Sequence, residues 1–287
     1  MSPTAKDFDN DFPITWCPGC GNFAILASLK KALAELGYSP HEVAVVSGIG
    51  QAGKTPHYMR CNFFNGLHGR ALPVAEGARM VNPGLPVLAV GGDGDMYGEG
   101  GNHFIHAIRR NVNVTLLAHN NKVFGLTQGQ ASPTTDAGVV TKIQPHGVFA
   151  APFNPLALAV VGEASFTARA YAGNAVHLTD MIKQAISAEG FSVLDILQPC
   201  LSFDKLHTFK WYNDRVYDLN QTGHDVRDLA AAVEKAREWG DRIPIGVFYV
   251  NPDRPSYEQA SGVLRAGPLV GRKTDPALLQ REIDAFM

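Results

Sequence analysis

Short apolar runs alternate with longer stretches of helical periodicity through the first 200 residues, and this alternation constrains the fold more than any other feature. The predicted elements are, in chain order, a helix at 22–36, strands at 43–46 and 86–90, a helix at 101–110 and a strand at 112–118, with the alternation continued at 156–161, 178–188 and 192–197. Parallel strands need a crossover connection, which is usually a helix. The sequence therefore predicts an α/β domain over 1–200, built on a largely parallel sheet with helices on both faces.

The pattern changes after Cys200. A polar and aromatic run at 210–215 is followed by a predicted helix near 225–239 and a predicted strand at 245–250. We expect residues 201–287 to be a C-terminal extension that packs on the same domain or on a partner.

Composition and charge exclude several classes of protein. The 287 residues are 45% hydrophobic and 18% charged, which is typical of a globular chain. The formal net charge of -2 lacks the broad basic field that nucleic-acid or anionic-membrane binding needs. The most apolar stretch, 147–162, contains two prolines and is shorter than the roughly 20 residues of a membrane span. With no secretory signal at the N-terminus, a cytoplasmic location is expected, where the four cysteines serve a purpose other than disulfides.

A glycine-rich run, Gly-Ile-Gly-Gln-Ala-Gly-Lys-Thr at 48–55, matches the phosphate-binding P-loop pattern. In a P-loop a helix begins at the lysine, but Pro56 is expected to keep Thr55 out of the helical conformation. The glycines also fit a dinucleotide fingerprint, yet the first downstream acid, Glu76, lies too far along the chain. We interpret the run as a tight turn at the carboxyl end of a strand and keep a P-loop nucleotide hydrolase as a distant alternative.

Polar side chains follow two neighbouring strands of the predicted sheet. Asp93, in Gly-Asp-Gly-Asp at 92–95, comes directly after one strand, and Asn121 follows the next. Because the carboxyl ends of parallel strands meet at one edge of a sheet, these two side chains are expected to reach one ion. Oxygen ligands suit Mg²⁺, which usually shares its site with phosphates, so a diphosphate ligand is implied. The combination resembles the thiamine diphosphate motif.

With its flanking sequence, the chain resembles the β subunit of 2-oxoacid:ferredoxin oxidoreductases over nearly its whole length. The runs that carry the resemblance are Trp-Cys-Pro-Gly-Cys-Gly (16–21), Leu-His-Gly-Arg-Ala-Leu-Pro (67–73), Gly-Asp-Gly-Asp (92–95), Arg-Arg-Asn (109–111), Asn-Asn (120–121), Gly-Leu-Thr (125–127), Gly-Gln (129–130), Ser-Pro-Thr-Thr (132–135), Gln-Pro-Cys (198–200), Lys-Trp-Tyr (210–212) and Ile-Pro-Ile-Gly-Val-Phe-Tyr (243–249).

The resemblance implies a site for thiamine diphosphate and Mg²⁺. Asp93, Asn121 and the carbonyl of Val123 would hold Mg²⁺. The residues that would line the cofactor are Ile49, Gly50, His68, Gly94, Asp95, Gly125, Leu126 and Thr127. His68 would also be catalytic, and Gln128 would face the substrate, where its amide can donate a hydrogen bond to a distal carboxylate.

The resemblance also implies a 4Fe–4S cluster, for which thiolates are the natural ligands. Cys17 and Cys20 have a spacing that suits one metal centre, and a structural zinc stays open as an alternative. A redox dithiol is disfavoured, because the flanking residues lack a thioredoxin-like βαβ pattern. Many relatives place a third cysteine directly after Gly-Ile-Gly, where this chain has Gln51. We therefore expect Cys61 to join Cys17, Cys20 and Cys200 in a four-cysteine set. Otherwise the cluster has a non-thiolate ligand or is missing.

The implied reaction is oxidative decarboxylation of a 2-oxoacid with coenzyme A to acyl-CoA, CO₂ and reduced ferredoxin. Thiamine diphosphate supplies the carbanion, and the cluster passes electrons to ferredoxin. An α subunit would bring the carboxylate that activates the aminopyrimidine, so a heterodimer or a dimer of heterodimers is expected, and the chain alone is expected to be inactive. Gln128 favours 2-oxoglutarate, with pyruvate and branched-chain 2-oxoacids as alternatives. A non-catalytic subunit stabilised by zinc is a further alternative.

Overall fold

A computed structural model describes residues 2–273 and 275–287 of the chain. The strands are β1 (Ala44–Ser47), β2 (Asn62–Asn65), β3 (Val87–Gly92), β4 (Thr115–Asn120), β5 (Val123–Phe124), β6 (Gln130–Ala131), β7 (Phe166–Tyr171), β8 (Ser192–Leu197), β9 (Val216–Asp218) and β10 (Ile243–Val250). The helices are α1 (Asn22–Glu35), α2 (Ala71–Val81), α3 (Gly101–Arg110), α4 (Pro155–Val161), α5 (Ala175–Ser187), α6 (Phe209–Asn213), α7 (Leu229–Ala236), α8 (Tyr257–Ala260), α9 (Gly262–Arg265) and α10 (Pro276–Asp284).

Eight of the strands in the described residues form one sheet, in the order β2-β1-β3-β4-β8-β7-β10-β9. Neighbouring strands from β2 to β7 are parallel, and β10 runs antiparallel to β7. The remaining two strands, β5 and β6, form a small antiparallel pair. The predicted α/β fold with a largely parallel sheet is confirmed.

Helices cover both faces of this sheet, as predicted. Successive side chains of a strand point to opposite faces. Val45 and Leu88 accordingly lie in one core with residues of α1 and α5, whereas Val46 and Ala89 lie in a second core with residues of α2 and α3. With both faces buried, the loops at the strand ends are left to form a site.

Several predicted boundaries agree with the structure, and the start of β4 does not. Helix α3 and strand β8 have the predicted bounds, while β4 begins at Thr115 rather than at residue 112. The reason lies in the turn after α3, where Asn111 has a left-handed φ of 58° and the Val114 N–H bonds to the Val112 carbonyl. Apolar residues 112 and 114 are buried within this turn, so their hydrophobicity does not mark a strand.

The segment 201–287 shares the sheet with residues 1–200. Strand β10 pairs with β7, and β9 pairs with β10. Beyond the sheet, Glu258 on α8 bonds to Arg79 on α2 at 3.1 Å. This segment therefore packs on the same α/β unit.

The glycine-rich run 48–55 departs from the local prediction. A 3-10 helix spans Ala52–Tyr58 with Pro56 inside it, so the expectation that Pro56 keeps Thr55 out of a helix is wrong. Proline removes one N–H from a helix, and the loss is tolerable in so short an element. Thr55 is nevertheless fully buried, and its hydroxyl donates to the Ala52 carbonyl at 2.7 Å. This hydroxyl is therefore not placed as a P-loop threonine, whose hydroxyl binds a metal ion.

Among the residues that the structure describes, no helix is both long and apolar enough to cross a membrane. The cytoplasmic location stays a prediction.

Candidate active site

A cleft opens at the carboxyl edge of the sheet, between the loops that follow β1, β3 and β4. Its lining residues are Ile49, Gly50, Gln51, Ala52, His68, Gly92, Asp93, Gly94, Asp95, Asn121, Val123, Phe124, Gly125, Leu126 and Thr127. The structure therefore brings together every residue that the sequence predicts to hold thiamine diphosphate or Mg²⁺. The parallel topology is the cause, because it places the carboxyl ends of adjacent strands side by side.

Asp93 is the most deeply buried charged group of the cleft. It follows β3, and 1% of its surface is exposed. Its Oδ2 accepts hydrogen bonds from the hydroxyls of Ser132 at 2.5 Å and Thr134 at 2.6 Å. Its Oδ1 is buried and has no hydrogen-bond partner in the described parts of the chain. Burial raises the pKa of Asp93. A buried carboxylate with one anchored and one unpartnered oxygen fits a cation, which would offset the cost of burying the charge.

Asn121 and Val123 reach the cleft through a tight turn. Lys122 between them has a left-handed φ of 60°, and the Val123 N–H donates to Asn121 Oδ1 at 3.1 Å. The turn leads into the β5–β6 hairpin, in which Val123 pairs with Ala131. The hairpin returns the chain toward Asp93, and Ser132 comes directly after its second strand, β6. Asn121 and Val123 thus line the same cleft as Asp93.

Asp95 links three loops around the cleft. Its Oδ1 accepts hydrogen bonds from the backbone N–H groups of Gly69 at 2.7 Å and Ile49 at 3.2 Å, and it lies 2.5 Å from His68 Nδ1. Its Oδ2 is buried without a hydrogen-bond partner among the described residues, and burial raises the pKa of this carboxyl. A Cβ on Gly48 would overlap Oδ2, so the close approach of this loop requires glycine. His68 is held through Nδ1, so Nε2 is the ring nitrogen available to a ligand.

Ser132 and Thr134 anchor Asp93, but the sequence motifs alone predicted no role for either residue. They belong to the Ser-Pro-Thr-Thr run at 132–135, which contributes to the family resemblance. The run itself is the signal that could have identified them, since hydroxyl groups after a hairpin can return to an acidic residue.

Gln128, predicted to face the substrate, lies outside the residues that line the cleft. It has a left-handed φ of 76° and lines a neighbouring open cavity, with Lys122, Lys142 and Lys205 among the other lining residues. Val123 contributes to both spaces, so the two adjoin. The structure thus places Gln128 next to the cleft and not within it.

Three of the four cysteines, Cys17, Cys20 and Cys200, line a second cavity. Gln51, Asn121 and Gly125 line both this cavity and the cleft, so the two spaces are neighbours. Burial, with smaller contributions from Cys200 and Cys17, raises the pKa of Cys20 to about 11. This cavity is called the cysteine cavity below.

Cys61 does not reach the cysteine cavity, which corrects the expected four-cysteine set. It directly precedes β2, whose first residue, Asn62, pairs with Ala44 at the start of the parallel strand β1. Cys61 therefore lies at the amino edge of the sheet, whereas Cys20 contacts Gln198, which follows the carboxyl end of β8. Burial raises the pKa of Cys61 to about 12, and its thiol packs against the hydrophobic core.

The thiols of the cysteine cavity are not spaced to bind one metal ion together. Within residues 2–273 and 275–287, no group of three or more His, Cys, Asp or Glu side chains is spaced to hold a metal ion. In an iron–sulfur cluster the thiolates bind different irons and surround a larger group. Cys17, Cys20 and Cys200 line one cavity, which is the arrangement that such a cluster needs.

A buried ionic network lies between the loop that follows β4 and the loop that follows Cys200. Lys122 pairs with Asp136 at 2.9 Å, His207 Nδ1 shares a hydrogen bond with Asp204 at 2.6 Å, and His207 Nε2 lies 2.9 Å from Asp136 as an ion pair. Asp204 closes the turn after Cys200 through its N–H. Burial opposes the charge on His207, but its two carboxylate partners outweigh burial and raise its pKa. The network fixes the loop beside Asn121 to the loop beside Cys200.

Comparison with known proteins agrees with this geometry. A family profile described as "Thiamine pyrophosphate enzyme, C-terminal TPP binding domain" matches residues 43–196, and a profile for the C-terminal part of the pyruvate ferredoxin oxidoreductase β chain matches residues 200–266. The solved structure of 2-oxoglutarate:ferredoxin oxidoreductase from Magnetococcus marinus, with 2-oxoglutarate, coenzyme A and succinyl-CoA bound, is similar with a TM-score of 0.90 and 36% identity. The match covers 99% of this chain and 96% of that chain.

Two curated relatives are similar in sequence. The β subunit of 2-oxoacid:ferredoxin oxidoreductase 1 from Aeropyrum pernix is 46% identical over 254 residues, which cover 85% of this chain and 80% of the relative. The 2-oxoglutarate oxidoreductase subunit KorB from Mycobacterium tuberculosis is 43% identical over 199 residues, which cover 69% of this chain and 53% of the relative. The chain belongs to the β subunits of the 2-oxoacid:ferredoxin oxidoreductases, which are enzyme subunits with a thiamine diphosphate-binding domain.

Proposed function

We propose that the chain is the subunit that binds thiamine diphosphate, Mg²⁺ and a 4Fe–4S cluster in an enzyme that oxidatively decarboxylates 2-oxoglutarate with coenzyme A. The products are succinyl-CoA, CO₂ and reduced ferredoxin. The single observation that carries the proposal is Asp93, whose unpartnered buried Oδ1 lies in a cleft with Asn121 and Val123.

Each group of the cleft has a distinct task in this function. Asp93 Oδ1, Asn121 Oδ1 and the Val123 carbonyl supply the oxygen ligands that suit Mg²⁺. Ser132 and Thr134 fix Asp93, as hydrogen-bonded outer groups do at metal sites. His68, oriented by Asp95, offers Nε2 to transfer or hold a proton. When bound, thiamine diphosphate supplies a carbanion and then accepts electrons.

The cysteine cavity supplies the electron exit. Cys17, Cys20 and Cys200 would hold the cluster, and their cavity adjoins the cleft at Gln51, Asn121 and Gly125. A cluster at this position would lie next to the bound cofactor. Ferredoxin, which the names of the relatives include, would be the electron acceptor.

The choice of 2-oxoglutarate rests on two supports. The similar structure from Magnetococcus marinus has 2-oxoglutarate bound. In this chain, Gln128, Lys142 and Lys205 line the cavity next to the cleft, where amide and ammonium groups can donate hydrogen bonds to a distal carboxylate. Pyruvate, which has no second carboxylate, would leave these donors without a partner.

We also propose that the rim of the cleft is covered by an α subunit. Ile49 and Leu126 line the cleft and are exposed, and the edge strand β2 presents Phe63 and Phe64 with about half of each side chain in solvent. An uncovered apolar edge strand promotes aggregation, so proteins cover such edges. A partner at this rim would bring the groups that complete the active site.

The test is reconstitution. The chain would be co-expressed with its α subunit and purified without oxygen. Viologen reduction would then be measured with coenzyme A and either 2-oxoglutarate or pyruvate. The proposal expects turnover of 2-oxoglutarate by the complex, no turnover by the chain alone, and dependence on thiamine diphosphate and Mg²⁺. Equal turnover of pyruvate would remove the substrate assignment, and activity of the chain alone would contradict the shared active site.

A further inference from the structure

The wall between the cleft and the cysteine cavity holds a polar group that the proposed function does not use. Gln51 lines both spaces, and its Oε1 is buried with no hydrogen-bond partner within the described parts of the chain. Its backbone is fixed, because Trp16, next to Cys17, donates its indole N–H to the Gln51 carbonyl at 2.9 Å. A buried carboxamide oxygen without a partner is costly, unless a ligand provides one.

The same cavity is one thiolate short of the usual cluster ligand set. Iron–sulfur clusters usually take four thiolates, and this cavity is lined by three cysteines. Cys61, the fourth cysteine of the chain, lies at the opposite edge of the sheet. The length of strand β1 separates Cys61, at the amino edge of the sheet, from the cysteine cavity, at the carboxyl edge. Moving Cys61 to the cavity would require β2 to unpair from β1.

We infer that the cluster of this subunit is held by three thiolates, from Cys17, Cys20 and Cys200, and that Gln51 occupies the fourth corner with its neutral carboxamide. This inference rests on the proposed function, because it concerns the cluster of that site. An amide oxygen is a weak ligand for iron compared with a thiolate. The iron beside Gln51 is therefore the exchangeable one.

Two properties follow from this ligand set. First, oxidation removes one iron selectively: [4Fe–4S]²⁺ gives [3Fe–4S]⁺, Fe²⁺ and one electron, and the electron goes to an added oxidant such as ferricyanide. Second, a neutral amide leaves the cluster one negative charge short of a four-thiolate site. Because net charge helps set the reduction potential, the potential is more positive than that of the same cluster with four thiolates.

The experiment uses the complex of the chain with its α subunit, purified without oxygen and titrated with ferricyanide. Released Fe²⁺ is measured with a chelator, and the three-iron product by electron paramagnetic resonance. Native enzyme is expected to lose about one iron in four and to give the three-iron signal. The Gln51→Cys variant is expected to keep all its iron under the same treatment and to have a more negative potential. Cys61→Ser is the matched control and is expected to behave as the native enzyme.

A second measurement keeps the test decisive if Gln51→Cys fails to fold. Iron-57 and a reductant are added to the oxidised native enzyme, and Mössbauer spectra are recorded. Uptake into a single site without thiolate ligation supports the inference. Equal distribution of the label over the cluster contradicts it.

The other outcomes separate this inference from the function on which it rests. Loss of the cluster in Cys61→Ser, or a native cluster as resistant to ferricyanide as that of Gln51→Cys, would overturn the Gln51 assignment and leave the proposed function intact. An iron-free complex that still turns over 2-oxoglutarate would overturn the cluster itself. An iron-free complex without turnover would overturn both.

Discussion

Ser132 Oγ donates a 2.5 Å hydrogen bond to Oδ2 of Asp93, which lies 39 positions earlier in the chain. The Thr134 hydroxyl donates to the same oxygen, so Oδ2 is anchored. Oδ1 is buried and has no hydrogen-bond partner among the described residues. The β5–β6 hairpin makes this contact possible, because it returns the chain to the end of β3. The pair therefore fixes the orientation of the carboxylate that we propose as a Mg²⁺ ligand.

Removing these anchors is expected to weaken Mg²⁺ binding. Ser132→Ala and Thr134→Val each free Asp93 to rotate, and outer contacts of this kind typically contribute about 10- to 100-fold to metal affinity. The affinity would be measured by calorimetric titration of the complex with Mg²⁺ at a fixed concentration of thiamine diphosphate. Thr134→Ser, which keeps the hydroxyl, is the control. Native affinity in Thr134→Val would show that the hydroxyl does not orient Asp93.

His68 is expected to act on substrate or cofactor and not merely to support Asp95. An asparagine at this position can offer its amide nitrogen near the place of Nδ1 but lacks Nε2. Both His68→Asn and His68→Ala are therefore expected to lower turnover by about 100-fold or more while binding of thiamine diphosphate is kept. Turnover and cofactor affinity would be measured separately in the complex. Native turnover in His68→Asn would assign the histidine a supporting role. The control is His41→Gln, a substitution of an exposed histidine elsewhere in the chain.

The strand order explains which parts of the site the sequence could predict. Asp93 and Asn121 follow adjacent parallel strands, so their proximity follows from hydrophobic periodicity and topology alone. Ser132 and Thr134 could not be assigned this way, since β5 and β6 have two residues each and show no periodicity. The position of Cys61 depends on β2, whose four residues are all exposed and carry no signal of burial. Contacts set by long buried strands were therefore predictable, and those set by short or exposed strands were not.

The exposed edge strand β2 is expected to be part of the surface that binds the α subunit. Phe64→Lys places a charge on this apolar rim, so it should weaken assembly and raise the concentration needed to form the complex by about tenfold or more. Assembly would be followed by analytical ultracentrifugation. Val176→Lys, at an exposed position of α5, which packs on β7, is the matched control. Unchanged assembly of Phe64→Lys would exclude β2 from the interface.

Gly48 and Gly77 are expected to respond in opposite directions to the same substitution. A Cβ at Gly48 overlaps Asp95 Oδ2, so Gly48→Ala should displace the carboxylate and lower the free energy of unfolding by about 1–3 kcal/mol. Gly77 lies inside α2 with open space around it, and Gly77→Ala should raise stability by about 0.5–1 kcal/mol. Urea unfolding of the purified chain measures both changes. Equal effects of the two substitutions would refute the close contact at Gly48.

The stability that His207 contributes is expected to depend on pH. Its partners Asp136 and Asp204 raise its pKa above the unfolded value, despite burial and the nearby charge of Lys122. The contribution is therefore complete below the unfolded pKa of about 6.5 and is lost as the pH rises through the folded pKa.

The two carboxylates set the lower limit of this pH range. Although burial opposes their charge, the hydrogen bond from His207 contributes in each case to a lowered pKa, so their contribution is lost only as the pH falls below about 4. His207→Asn should therefore reduce the free energy of unfolding by about 2 kcal/mol at pH 6 and by less at pH 9. Denaturation of the native chain and of the variant at both pH values measures the difference in free energy of unfolding. The control is His146→Asn, a substitution of an exposed histidine. A difference that is the same at pH 6 and pH 9 would mean that His207 is not charged in the folded chain.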